Sequence, residues 1–399
     1  MFEQIVLRRS QSNQPISAGE IAQALLFYQK VHLFLERQSV VHLIKQIGPR
    51  PLLDLLRRPD VSAVYSEELL CVVTNTYNSM EFHSFAAFTT VGFEEKRYKN
   101  SEDTLRHDLA RAGIDDQVAK AFASGFLKLV PIRKLSGKHY APDGLPKATK
   151  KEVSDSALLH AAAKIVLSTI APKYKLPDPI QFDIIDTDKD GFVLFNNLDW
   201  QHVDSAYENR PTPADKITPA LVLEHIQQSI SDMMLAAHYG GYFITSSQSS
   251  RIAQTKYEHI AKRAQKNSAM QTEFFDIVLP EIPSIAQQID SGDRNFPEFL
   301  KLMKKAQKFK NWLGAGNPDE GLVREYIKSQ SKQDWTESFP TKMGRFLFTS
   351  WVDGGLAAGN PLDPTGPAGA FDSFLFDRIF KGWRPNHFIE DRLKPFLRG

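Results

Sequence analysis

Cysteine is nearly missing from this chain. Cys71 is the one copy in 399 residues, which excludes an intrachain disulfide and a thiolate-built zinc cluster. It lies in the apolar run Leu69-Leu70-Cys71-Val72-Val73, where a buried small hydrophobe is expected. Long apolar runs are missing too. No uncharged stretch approaches the ~20 residues that cross a bilayer. The segment Met1 to Arg9 lacks a basic stretch followed by an apolar one of signal-peptide length. A cytoplasmic protein without a transmembrane segment is the resulting expectation. Charge of one sign is scarce as well. The 49 Lys and Arg against 47 Asp and Glu leave +2, which falls short of the basic footprint of a dedicated nucleic-acid reader. Finally, there is no His-Glu-x-x-His, no Cys/His finger spacing, no Walker loop and no Gly-x-Ser-x-Gly elbow. The glycine-rich stretch from Gly314 to Gly321 lacks the Lys-Ser/Thr of a phosphate loop and reads as a helix-to-helix turn.

What is present is a globular composition, 42% hydrophobic and 24% charged. The 27 phenylalanines point to large apolar cores, and the length points to two or three domains. Ile5-Val6-Leu7 reads as a strand. Ser17 with Glu20 forms a capping-box signature for a helix to about Gln29. Val31 to Leu35 reads as a second strand, Ser39 to Ile47 as a helix ended by Gly48-Pro49, and Val61 to Thr74 as a β-branched strand. This β-α-β-α-β order predicts an α/β domain over 1–136. Turn formers crowd Ser136 to Pro146, which makes 137–151 a linker or surface loop. A mixed α/β domain over 152–290 follows, with helices at Ser154–Ile170 and Ala220–Tyr239, the latter ended by Gly240-Gly241. The region 291–399 reads as helical. The fold class is thus α/β plus α, with an acidic β-hairpin in the central segment.

That hairpin carries Asp186-Thr187-Asp188-Lys189-Asp190-Gly191 between strand-like Phe182–Ile185 and Phe192–Phe195. Alternate carboxylates closed by glycine let a short loop wrap a hard cation. In this stretch the chain resembles the calcium loop of EF-hand proteins. Asp186, Asp188 and Asp190 match the first, third and fifth positions, Gly191 the sixth, Phe192 the backbone-carbonyl position and Val193 the apolar position after it. The resemblance implies Asp186, Asp188 and Asp190 as metal ligands. Two departures stand beside it. The twelfth position holds Asn197 instead of a bidentate Glu, and after Pro179 only six strand-like residues precede Asp186, where the family has a helix. The loop reads either as a plain hairpin turn, as a weak divalent-cation site, or as a catalytic site for magnesium or manganese.

Among the histidines, His32 and His42 could converge across the first α/β unit, and His238 beside Tyr239-Gly240-Gly241 is a candidate pocket residue because glycine permits close backbone approach. Lys301, Lys304, Lys305 and Lys308 fall on one face of a helix read over Pro297 to Leu313, a basic face for nucleic acid, for an acidic partner, or for solvent. The tail from Thr341 combines small residues with Trp351, Phe374 and Trp383, which suits docking on a partner or on a second copy. The functional expectation is a cytoplasmic interaction or regulatory protein acting through this aromatic C-terminal region. The alternatives are a divalent-metal enzyme acting on a phosphoester through the acidic loop, and a nucleic-acid binder using the lysine face. No cofactor is expected beyond a weakly held divalent cation.

Overall fold

The computed structural model describes residues 2–9, 14–89, 100–187, 191–208, 215–244, 247–280, 282–316, 321–323, 325–326 and 385–398, with only the backbone course of 242–244, 247 and 256–265. The elements run β1 (Gln4–Leu7), α1 (Ala18–Phe27), β2 (Lys30–Glu36), α2 (Arg37–Ile47), α3 (Pro49–Leu56), β3 (Val61–Ser66), β4 (Glu68–Tyr77) and β5 (Met80–Thr89). Then come α4 (Ser101–Arg111), α5 (Asp116–Leu129), α6 (Gly144–Val153), α7 (Ser156–Ile170), β6 (Phe182–Asp186), β7 (Phe192–Asn196) and α8 (Trp200–Ser205). The rest is α9 (Pro219–Tyr239), β8 (Tyr242–Ile244), α10 (Ser247–Val278), α11 (Ile285–Asp290), α12 (Phe296–Met303), α13 (Gln307–Ala315) and a last helical segment, Pro385–Arg398. The chain is therefore mixed α/β. No single described helix is long and apolar enough to cross a membrane.

Two compact units emerge, each drawn from separate stretches. One comprises 1–4, 17–31 and 265–399, the other 5–16 and 32–264. The first is helical around α1. Its N-cap Ser17 accepts from the Glu20 amide while Glu20 reaches back to the Ser17 amide, the box that the sequence announces. The Asp290 carboxylate then accepts from the Gly19 amide at 2.7 Å and from the Ser17 hydroxyl at 2.7 Å. Phe27 meets Phe274 and Phe275 edge-on, Phe274 meets Tyr326, and Phe309 stacks on Phe388, so part of the phenylalanine excess is core, as its abundance suggests.

The second unit holds nearly all of two four-stranded sheets, ordered β3-β2-β1-β8 and β4-β5-β7-β6. β1 pairs with β8 in parallel, and the second sheet is antiparallel throughout. Its inner face sets Val72, Phe85, Ile184, Leu194, Phe182 and Phe192 against Leu159, Ala163, Val166, Val222 and Ile226 of α7 and α9. The strand period of two aims alternate residues of these same strands the other way. A buried ion network braces this unit. Arg8, just past β1, gives Nε and Nη2 to Glu36 Oε1 at 3.0 and 2.7 Å and Nη1 to Asp232 Oδ1 at 2.5 Å.

Four local expectations are corrected. Val61 to Thr74 is not one strand, because the chain breaks at Glu67. Ser66 Oγ takes the Glu68 amide at 3.2 Å, and β3 and β4 enter different sheets. Within the expected 137–151 linker a helix, Gly144–Val153, begins and Leu145 is fully buried; Pro146 falls in its first turn, where a helix tolerates proline. The single helix over Pro297 to Leu313 is two. Lys305 and Ala306 donate to carbonyls three residues back, which tightens and ends α12, and α13 restarts at Gln307. Cys71 is only half-buried, on the sheet side turned from the core, with its thiol pushed up to about 11 by desolvation and then by the Glu224 charge.

Candidate functional site

The side of the second sheet turned away from α7 and α9 is built by alternation alone. On β4 it presents Leu69, Cys71, Val73, Asn75 and Tyr77. These pair in register with Phe88, Ala86, Ser84, Phe82 and Met80 of β5. β7 adds Val193 and Phe195, which pair with Ile185 and Asp183 of β6. The β5–β7 bridge at His83 and Phe192 joins the two hairpins. Tyr77, Met80, Phe88, Ile185 and Phe195 are each more than half exposed, the five most exposed large apolar residues among those described. Single exposed hydrophobics need no explanation, but a contiguous apolar sheet face does. Among the described residues the one charged group on it, Asp183, sits on edge strand β6 and is engaged by His160 Nε2 at 2.9 Å.

The β4–β5 turn shapes one end of this face. Asn78 and Ser79 both have positive φ, 50° and 63°, the signature of a tight two-residue hairpin turn matched to strand twist. Tyr77 and Met80 flank it as a register pair.

The acidic loop folds as an antiparallel hairpin, with Asp186 opposite Phe192 and Phe182 opposite Asn196. The Thr187 amide and hydroxyl both donate to the Gly191 carbonyl, at 3.2 and 2.8 Å, closing the turn. Asp186 is exposed and pairs with Lys150 Nζ at 2.8 Å, so a cation at this tip competes with an ammonium. Asp188 and Asp190 lie outside the described residues. Asn197 stands at the other end of the hairpin, ~17 Å of strand away. Its Oδ1 accepts from the Gln181 amide and its Nδ2 donates to the Pro179 carbonyl, so it clamps the hairpin base. Among the described residues no three His, Cys, Asp or Glu side chains are grouped to hold a metal ion.

The lysines divide between elements. Lys301 lies in the last turn of α12, Lys304 and Lys305 occupy the turn, and Lys308 lies in the first turn of α13; all four are exposed. Trp351, Phe374 and Trp383 lie outside the described residues. His42 is half-buried on α2 and is not joined to His32. His32 instead hydrogen-bonds Ser62 Oγ through Nδ1 at 2.8 Å and stacks on Tyr239 with centroids 3.7 Å apart, beside the His238 flagged by its glycines. Sequence reasoning missed β5 entirely, and with it the sheet face. Neither face of Met80–Thr89 is polar enough to produce a clean alternation.

Comparison with protein-family models, with curated proteins and with solved structures returned no match.

Proposed function

We propose that the chain is a cytoplasmic interaction protein, and that the contact it makes is with a second copy of itself through the outer face of β4-β5-β7-β6. The observation that carries this reading is the run of exposed Tyr77, Met80, Ile185 and Phe195 on one side of one sheet. A face almost without charge supports self-pairing, because a two-fold axis sets the patch against itself and no like charges meet. Two antiparallel sheets can interdigitate such faces about 10 Å apart. Each large side chain brings ~150–250 Å² of surface when whole. The exposed parts of these four sum to roughly 500 Å² per copy, or roughly 1,000 Å² for a pair, near the lower limit of specific interfaces. The dimer is accordingly weak.

The aromatic region around Trp351, Phe374 and Trp383 remains a second proposed contact, carried by its sequence. The two are separated by measuring solution mass by light scattering for Ile185→Ser with Phe195→Ser, and separately for Trp351→Ala with Phe374→Ala. Loss of association in the first pair alone supports the sheet face. Loss in the second pair alone moves the contact to the tail.

A further inference from the structure

A cluster of rings and cationic groups lies where β2, the end of α9 and the 131–140 loop converge. Its loop is held firmly. Residues 131–133 run beside β3, with the Tyr65 amide donating to Pro131 O at 3.0 Å and the Arg133 amide to Tyr65 O at 2.8 Å. The buried Glu68 carboxylate then takes both the Ser136 amide and its hydroxyl at 2.8 Å, and Leu145 N returns to Leu135 O. These anchors fix the loop bearing Arg133, His139 and Tyr140 against α9. Gly240, in the left-handed conformation at φ 67°, ends α9 and leaves His238 and Tyr239 at its last turn.

The ring geometry is compact. The Tyr140 and Tyr239 hydroxyls are 3.0 Å apart. The His139 and His238 ring centroids are 4.8 Å apart, and Tyr140 lies 5.2 Å from His238. His32 forms the floor under Tyr239, 5% exposed, with Nδ1 on Ser62 and its buried Nε2 without a hydrogen-bond partner. Arg133 gives Nη1 only to the adjacent Ile132 carbonyl at 3.3 Å, and its Nε is buried without a partner. No described carboxylate pairs with Arg133, His139 or His238. Arg133 bears electrostatically on His139, Tyr140 and Tyr239, and His238 on His32 and His139, while Arg8, which also bears on Tyr140, is itself held by Glu36 and Asp232.

A partly buried guanidinium with an unmet donor and two imidazoles that make no hydrogen bond among the described residues, beside the Tyr140 hydroxyl, are groups able to meet an acceptor. Either hydroxyl of the Tyr140–Tyr239 pair can donate to the other, and the one that accepts keeps its own proton for a ligand. We propose that Arg133, His139, His238 and Tyr140, backed by Tyr239 and His32, form a binding site for a phosphate group, free or as a small phosphomonoester. A tetrahedral dianion offers acceptors in several directions at once, which matches donors arriving from a loop and a helix end; a planar carboxylate offers two.

The test titrates the full chain at pH 6.5 with inorganic phosphate, with phenyl phosphate and with acetate, by calorimetry and by the histidine ring NMR signals. The expected result is saturable one-to-one binding of at least one phosphate compound. Arg133→Gln should weaken it at least tenfold and His238→Gln severalfold, with circular dichroism unchanged. Tighter binding of phenyl phosphate assigns the monoester as ligand, and equal binding assigns the bare group; both uphold the site. His238 is exposed, so its variant keeps the test informative if Arg133→Gln fails to fold. Absence of saturable binding of either phosphate compound, acetate binding as tightly as phosphate, or unchanged affinity in both variants overturns it.

Discussion

Arg8 sits 4% exposed between two carboxylates, so its removal and theirs have unequal consequences. Neutralising one partner of a buried pair costs about 3 kcal/mol or more, since the other charge stays desolvated. Glu36→Gln should therefore lower the unfolding free energy by about 3 kcal/mol, read from denaturant midpoints. Burial opposes the Glu36 charge, but Arg8 and then Arg9 outweigh it and hold its carboxyl below the usual carboxylate range. Its stabilisation is present above the unfolded-chain value and is lost as pH falls through the lowered one. His32 acts in a higher window. Desolvation first, and His238 second, push it down to about 4. Between pH 6.5 and that value the unfolded chain binds a proton that the folded chain refuses, so stability declines as pH falls, by about 3 kcal/mol in all. Denaturation at pH 7 and pH 4.5 should show a drop that His32→Asn largely removes. An equal drop in the variant would assign the effect elsewhere. His32, Arg133 and His139 share no local spacing, so the sequence alone could suggest only His32 and His238 as candidates.

At the scale of elements, legibility followed the range of the forces. The Ser17 and Glu20 box and the Gly240 stop are settled within one helical turn, and they were readable. The break at Glu67 was not, because strand-forming apolar residues run on both sides of Glu67-Glu68 while the two halves serve different sheets. Nor was the α12–α13 bend, which a helical wheel of lysines does not reveal. Two predictions belong here. A methyl on Gly19 would collide with the Ala286 carbonyl and the Asp290 carboxylate that caps α1. Gly19→Ala should thus destabilise by about 1–3 kcal/mol, the reverse of the usual gain from alanine in a helix. Ser79 holds φ 63° in the β4–β5 turn, so Ser79→Gly should stabilise by about 1 kcal/mol, and thermal melts should show it.

Across the whole molecule, each compact unit is assembled from stretches far apart in the chain, and no shift in composition marks where the chain returns. The hairpin at Asp186–Phe192 was foreseen from its flanking strands and turn residues. The apolar face it helps to build depends on a second hairpin a hundred residues earlier, a long-range pairing that local pattern does not encode. Sedimentation velocity over a dilution series tests the central claim most directly. The account predicts a reversible monomer–dimer equilibrium with a dissociation constant in the micromolar range, shifted at least tenfold toward monomer by Ile185→Ser with Phe195→Ser while secondary structure is retained. A chain that stays monomeric at high micromolar concentration, or a dimer indifferent to those substitutions, would contradict it.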